Sequence, residues 1–109
     1  MYNPKYRKQM NIVQVKSGKV ELRKDSGTLI RTIVSSGAVF ADLNADQTLV
    51  LVTLLNGKVE LRKENSSLVR TIVSSGAVQA RFSGKDILVT LSSGKAELRK
   101  ENGSLIRKL

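Results

Sequence analysis

Hydrophobic and polar residues alternate along this chain in short runs, and the runs recur. In Lys58-Val-Glu-Leu-Arg-Lys63 the alternation is strict. It predicts a strand with Val59 and Leu61 inward and Lys58, Glu60 and Arg62 outward. Leu49-Val-Leu-Val-Thr-Leu-Leu55 is apolar on both faces, as expected of a strand covered on both sides. Ala38-Val-Phe-Ala-Asp-Leu43 predicts a short strand with Val39, Ala41 and Leu43 on one face, and Leu68-Val-Arg-Thr-Ile72 predicts a fourth. Asn44-Ala-Asp46 and Glu64-Asn-Ser-Ser67 are turns between them. Asn56-Gly57 is a hairpin signal; it predicts a type I′ turn, with positive φ at both positions.

This four-strand pattern is repeated. Gly57 to Val78 reads almost as Gly18 to Val39, and Gly94 to Leu109 opens in the same way. Arg31 to Val39 is identical to Arg70 to Val78. The repeat glycines fall at 18, 57 and 94, so the period is 39 and then 37. A fixed period in this range predicts a repeat architecture. The third unit supplies Ala77 to Phe82, Asp86 to Leu91, Lys95 to Lys100 and Leu105 to Leu109 as strands. The first unit is the divergent one. Sliding the third back by 76 positions sets Ile12 to Val15 against Leu88 to Leu91, and Tyr2, Pro4 and Tyr6 against Val78, Ala80 and Phe82. Pro4 weakens that first strand, since it cannot donate to a ladder. The repeat units are therefore residues 1–36, 37–75 and 76–109 of one domain.

Four antiparallel strands per unit, in a meander with tight turns, resemble the WD40-type blade of a β-propeller. Gly57-Lys-Val-Glu-Leu-Arg-Lys and Leu68-Val-Arg-Thr-Ile stand where that family has its third and fourth strands. The resemblance departs at the family's Trp-Asp pair, which is Arg23-Lys24, Arg62-Lys63 and Arg99-Lys100 here. With neither His nor Trp in the chain, the family's buried Asp-His-Ser-Trp network cannot form. A β-solenoid is the rival architecture, but its coils are shorter and lack a repeated hairpin turn. Closed propellers have four to eight blades, so three blades imply a ring completed by homo-oligomerisation. A homodimer of six blades is expected ahead of a homotrimer of nine.

Composition narrows the chemistry. There is no cysteine and no histidine, so disulfides, thiolate metal sites and the commonest general base are excluded. No enzyme activity, cofactor or metal is expected. Asp46 and Asp86 fit turn formation better than cation binding. Ser35-Ser-Gly37 and Ser74-Ser-Gly76 lack any phosphate-loop spacing and read as inter-blade links. Glu21, Glu60 and Glu97 each lie two residues from an Arg and a Lys, a pattern expected of a solvated strand face. No apolar run or leader-like segment points to a membrane, so a cytoplasmic protein is expected.

The net charge of +10, from 19 basic and 9 acidic residues, is the one feature above background. It predicts attraction to polyanions. The candidate contacts are Arg23, Lys24, Arg62, Lys63, Arg99 and Lys100 on the third strands, with Arg31, Arg70 and Arg107 on the fourth. A bland alternative is a charged outer edge that discourages sheet-to-sheet aggregation. The expectation is a non-enzymatic binding or scaffold ring for an acidic partner. Its alternatives are a non-specific nucleic-acid-binding ring and a lectin-like oligomer with Asn44, Gln47 or Gln79 at a sugar. Single-strand stacking and sugar platforms both want aromatics, and only Tyr2, Tyr6, Phe40 and Phe82 exist.

Overall fold

The computed structural model describes residues 10–109, all of whose regular elements are strands. β1 (Asn11–Lys16), β2 (Lys19–Lys24) and β3 (Leu29–Val34) form the first sheet. β4 (Ala38–Leu43), β5 (Leu49–Leu54), β6 (Val59–Lys63) and β7 (Leu68–Val73) form the second, and β8 (Ala77–Ser83), β9 (Asp86–Leu91), β10 (Ala96–Arg99) and β11 (Leu105–Lys108) the third. Every sheet is an antiparallel meander with strands in chain order. The expected first strand of the first unit, Tyr2 to Tyr6, lies outside the described residues.

The sheets stack face on face, and the stacking explains the apolar pattern. Val50, Leu51, Val52 and Thr53 of β5 are all buried, because the second sheet has a neighbour on each side. Its leading face sets Leu51, Val59, Leu61 and Ile72 against Ala77, Ala80, Ile87 and Val89 of the third sheet. Its trailing face sets Ala38, Val50 and Val52 against Val20, Leu22 and Ile33 of the first. Thus the two internal junctions repeat one another, leading face on trailing face.

Three local expectations are corrected. Val39 does not share a face with Ala41 and Leu43; it is 45% exposed. The ladder slips between Ala38 and Phe40, and again between Ala77 and Gln79, so Val39 and Val78 are the extra residues of two matching bulges. The cause lies in the residue before each. Ala38 donates its N–H to Gly18 of the preceding sheet at 2.9 Å, and Ala77 donates to Gly57 at 3.0 Å. Each strand entry is thereby tied across the junction.

The second correction concerns the Asn56-Gly57 turn. Gly57 has φ +88, but Asn56 is not in the left-handed region. Its side chain instead accepts the Lys58 N–H at 3.0 Å, and Gly57 N–H closes the turn on Leu54 at 2.9 Å. Positive φ at two successive positions is found in the first sheet, at Ser17 and Gly18. There Lys16 pairs directly with Lys19, so this hairpin is one residue shorter than its counterparts.

That shortening makes the third correction. Val13 pairs with Leu22, as Leu88 pairs with Leu98. Val13, not Ile12, is therefore the counterpart of Leu88, and a uniform slide by 76 places β1 on the wrong face. A one-residue slip inverts every side chain of a strand.

Candidate interaction surface

Along β2, β6 and β10 the sequence Glu-x-Arg places two opposite charges on one face, because side chains alternate along a strand. Arg23 donates from Nε and Nη2 to Glu21 Oε1 at 3.2 and 2.8 Å. Arg62 does the same to Glu60 at 3.0 and 2.9 Å, and Arg99 to Glu97 at 3.0 and 3.0 Å. The remaining Nη1 reaches back to the turn after the strand. It donates to the carbonyls of Gly27, Ser66 and Gly103 at 2.6, 2.7 and 2.7 Å respectively. Each arginine thus straps its strand to the following turn. This strap occupies the place where the WD40 pattern would put Trp-Asp.

The expectation of a solvated glutamate face is overturned here. Glu21 and Glu60 are buried, and Glu97 is half-buried. Glu60 pairs with Val52 in the ladder, so it lies on the trailing face, against the preceding sheet. A carboxylate can sit there because the guanidinium forks onto it. The Arg23 hydrogen bond holds the Glu21 carboxyl below its ordinary pKa; partial burial opposes this, and the charges of Arg23, Lys16 and Lys19 add to the lowering.

The nine basic candidates fall into three groups rather than one cleft. Arg23, Arg62 and Arg99 are half-buried in their straps. Lys24, Lys63 and Lys100 follow them in the chain; all three are exposed, and among the described residues they hold no ion pair. Arg31, Arg70 and Arg107 are exposed on the outer strands β3, β7 and β11. Arg70 donates to the Asn102 carbonyl of the next sheet at 3.3 Å.

Other candidates have structural occupations. Gln47 is buried, with Oε1 accepting the Asn11 N–H at 2.7 Å and Nε2 donating to Met10 Sδ at 3.3 Å. It bolts the second sheet to the first. Asn44 Oδ1 accepts the N–H groups of Thr48 and Leu49 at 2.9 Å each, closing its own turn. Gln79 is half-buried on β8. Asp46 is exposed in a turn, and Asp86 begins β9. Among the described residues no cluster of three or more His, Cys, Asp or Glu is placed to hold a metal ion. A shallow depression of about 480 Å³ opens between Ser36-Gly37 and Leu54-Leu55-Asn56. At its rim the Gly37 carbonyl accepts the Leu55 N–H at 2.8 Å, tying the link between the first and second sheets to the β5–β6 turn. Asp42, which joins the second and third sheets, escaped sequence reasoning. Its counterpart in the third unit is Arg81, so repetition gives no signal for it.

No protein-family model matches the sequence, and no curated protein matches it. A solved structure does. BamB from Moraxella catarrhalis, a β-propeller, aligns over 90% of this chain with a TM-score of 0.70 at 15% identity. The chain spans 32% of the length of that BamB chain. This likeness shows the fold: an all-β arrangement of propeller blades. Among the described residues no helix is long and apolar enough to cross a membrane.

Proposed function

We propose that this chain is a non-enzymatic β-propeller scaffold that closes its ring by self-association and presents a basic surface to an acidic protein partner. The observation that carries the proposal is the open stack. Among the described residues, the three blades bury the middle sheet on both faces and leave one face at each end with no neighbouring sheet. A second copy supplies six blades in all, within the usual size of a closed propeller. The WD40-like pattern is retained in strand spacing but not in its Trp-Asp pair, so its partners do not carry over.

The repeated, exposed Lys24, Lys63 and Lys100 support the basic surface. A ring multiplies them into a regular array, with Arg31, Arg70 and Arg107 on the same blades. Attraction from such exposed charges is long-ranged and screened by salt. The test has two parts. Light scattering should give a particle of two chains. Binding of an acidic polypeptide such as polyglutamate should weaken steeply as salt rises. A duplex DNA probe bound more tightly than polyglutamate would replace the acidic-protein partner with nucleic acid. A single-chain mass at every concentration sinks the ring, and no binding at low salt sinks the basic-surface proposal.

A further inference from the structure

The three sheets carry equivalent residues on their leading faces, covered in the first two sheets and uncovered in the third. Leu22, Leu61 and Leu98 pair with Val13, Leu51 and Leu88 and are equivalent. Leu22 and Leu61 are 2% and 1% exposed beneath the following sheet, whereas Leu98 is half-buried. Ile33 and Ile72 are 4% and 5% exposed; their counterpart Leu109 is 64% exposed. The trailing faces show the converse. Val50 and Ile87 are fully buried against the preceding sheet, and their counterpart Ile12 is 46% exposed.

We infer that the leading face of the third sheet is the seat for the trailing face of the first sheet of a second copy, so that copies join head to tail. This rests on the ring closure proposed above and specifies its polarity. Both internal junctions stack leading face on trailing face, and the two faces with no neighbouring sheet among the described residues are one of each kind. The opposite arrangement, leading face on leading face, sets Arg81 and Arg107 of one copy against the same arginines of the other. In the head-to-tail arrangement Arg107 has a ready acceptor. Its counterpart Arg70 donates to the Asn102 carbonyl, and the residue equivalent to Asn102 in the first sheet is Ser26.

The joint between copies differs from the internal ones at several positions: Arg81 stands where the second sheet has Asp42, Leu109 where the other sheets have Ile33 and Ile72, and apolar area is lost at two more. Gln14 stands where the other sheets have Val52 and Val89, and Ala96 where they have Val20 and Val59. Both changes remove apolar area from the contact. The joint between chains is thereby looser than the joints within a chain, which lets copies exchange while each chain stays folded.

The chain has no cysteine, so introduced thiols report contacts without ambiguity. Arg107→Cys protein is mixed with Ser26→Cys protein and treated with a short bismaleimide, while light scattering gives the mass of the unmodified chain. Head-to-tail joining predicts a multi-chain particle and a cross-link between the two variants, with neither variant cross-linking to itself. A multi-chain particle in which Arg107→Cys links to itself, or in which no link forms, overturns the polarity and leaves ring closure standing. A single-chain mass overturns both. Two further variants check the energetics. Leu98→Glu should raise the dissociation constant between copies by at least about tenfold, with the β-sheet circular dichroism retained. Gln14→Val combined with Ala96→Val should lower it by about tenfold or more. Unchanged association in both variants also overturns the assignment.

Discussion

Asp42 and Phe82 fasten the second sheet to the third: Asp42 Oδ2 accepts the backbone N–H of Phe82 at 2.8 Å. Its other oxygen accepts the N–H of Leu43 at 3.0 Å, so one carboxylate satisfies donors on two inner strands. Truncation leaves the Phe82 N–H without its acceptor at a part-buried position. Asp42→Ala should therefore cost about 1.5–3 kcal/mol in urea unfolding. Asp42→Asn should cost less, because an amide oxygen still accepts. Native-state hydrogen exchange should show the Phe82 amide opening faster in the alanine variant; an unchanged Phe82 rate would remove the proposed fastening.

Gly57 is constrained by a neighbour as well as by its own φ of +88. A Cβ there would run into the backbone nitrogen of Gly76 in the link to the third sheet. Gly57→Ala should destabilise by about 1–3 kcal/mol from the left-handed conformation alone, and more from the clash. Gly76 has the same φ, but a Cβ added to it meets nothing within 4 Å. Gly76→Ala should show only the conformational cost. Equal midpoints for the two variants in thermal unfolding would contradict this difference.

Much of this was legible in the alternation and the period. The strand set, the doubly covered β5 and the meander all follow from apolar spacing, because a repeat must bury the same positions in each copy. What escaped was set by single residues at the junctions. The slip at Val39 follows from Ala38 bonding across to Gly18, which no local pattern encodes. The shorter Ser17-Gly18 turn moved β1 by one position, and sequence sliding had no reason to allow for it. Glu60 looked solvated because alternation gives a face its parity, but not what covers it. Only the strap from Arg62 reveals why a carboxylate is tolerated there. Whether the basic candidates meet a partner is a property of surfaces, and spacing within a strand carries little about that.

The Glu21–Arg23 pair predicts a pH dependence. The folded pKa of Glu21 is lowered chiefly by the hydrogen bond from Arg23. Such a carboxyl stabilises the fold above its unfolded pKa, and the contribution is lost as pH falls through the folded one. Melting temperature should therefore fall on acidification through the carboxylate range. Glu21→Gln should be less stable at neutral pH and should lose less on acidification than the parent chain. Parallel acid limbs for the two proteins would dissociate Glu21 from this behaviour.

Adjacent basic residues should behave oppositely. Arg62 spends three donors on Glu60 and Ser66, and its loss leaves a buried carboxylate without its partner. Arg62→Ala should cost about 1–3 kcal/mol of stability. Lys63 is exposed and holds no ion pair among the described residues, so Lys63→Ala should change stability by less than about 0.5 kcal/mol. The triple variant Lys24→Ala, Lys63→Ala and Lys100→Ala should melt like the parent and bind polyglutamate more weakly at low salt. Loss of stability in the triple variant would assign these lysines a structural place instead.

Leu61 and Leu98 allow the stacking itself to be measured, because they occupy one position in two blades. Leu61 is covered by the third sheet and is 1% exposed; removing its side chain leaves a cavity that neighbouring strands can fill only in part. Leu61→Ala should cost about 2–5 kcal/mol. Leu98 is only half-buried in the single chain, so a smaller part of that cost arises from folding the chain alone. At a protein concentration where the particle is a single chain, Leu98→Ala should therefore cost clearly less than Leu61→Ala. As concentration rises and copies associate, the missing part should reappear as a melting temperature that increases more in the parent than in Leu98→Ala. A concentration-independent gap between the parent and Leu98→Ala would mean that this face gains nothing from a second copy.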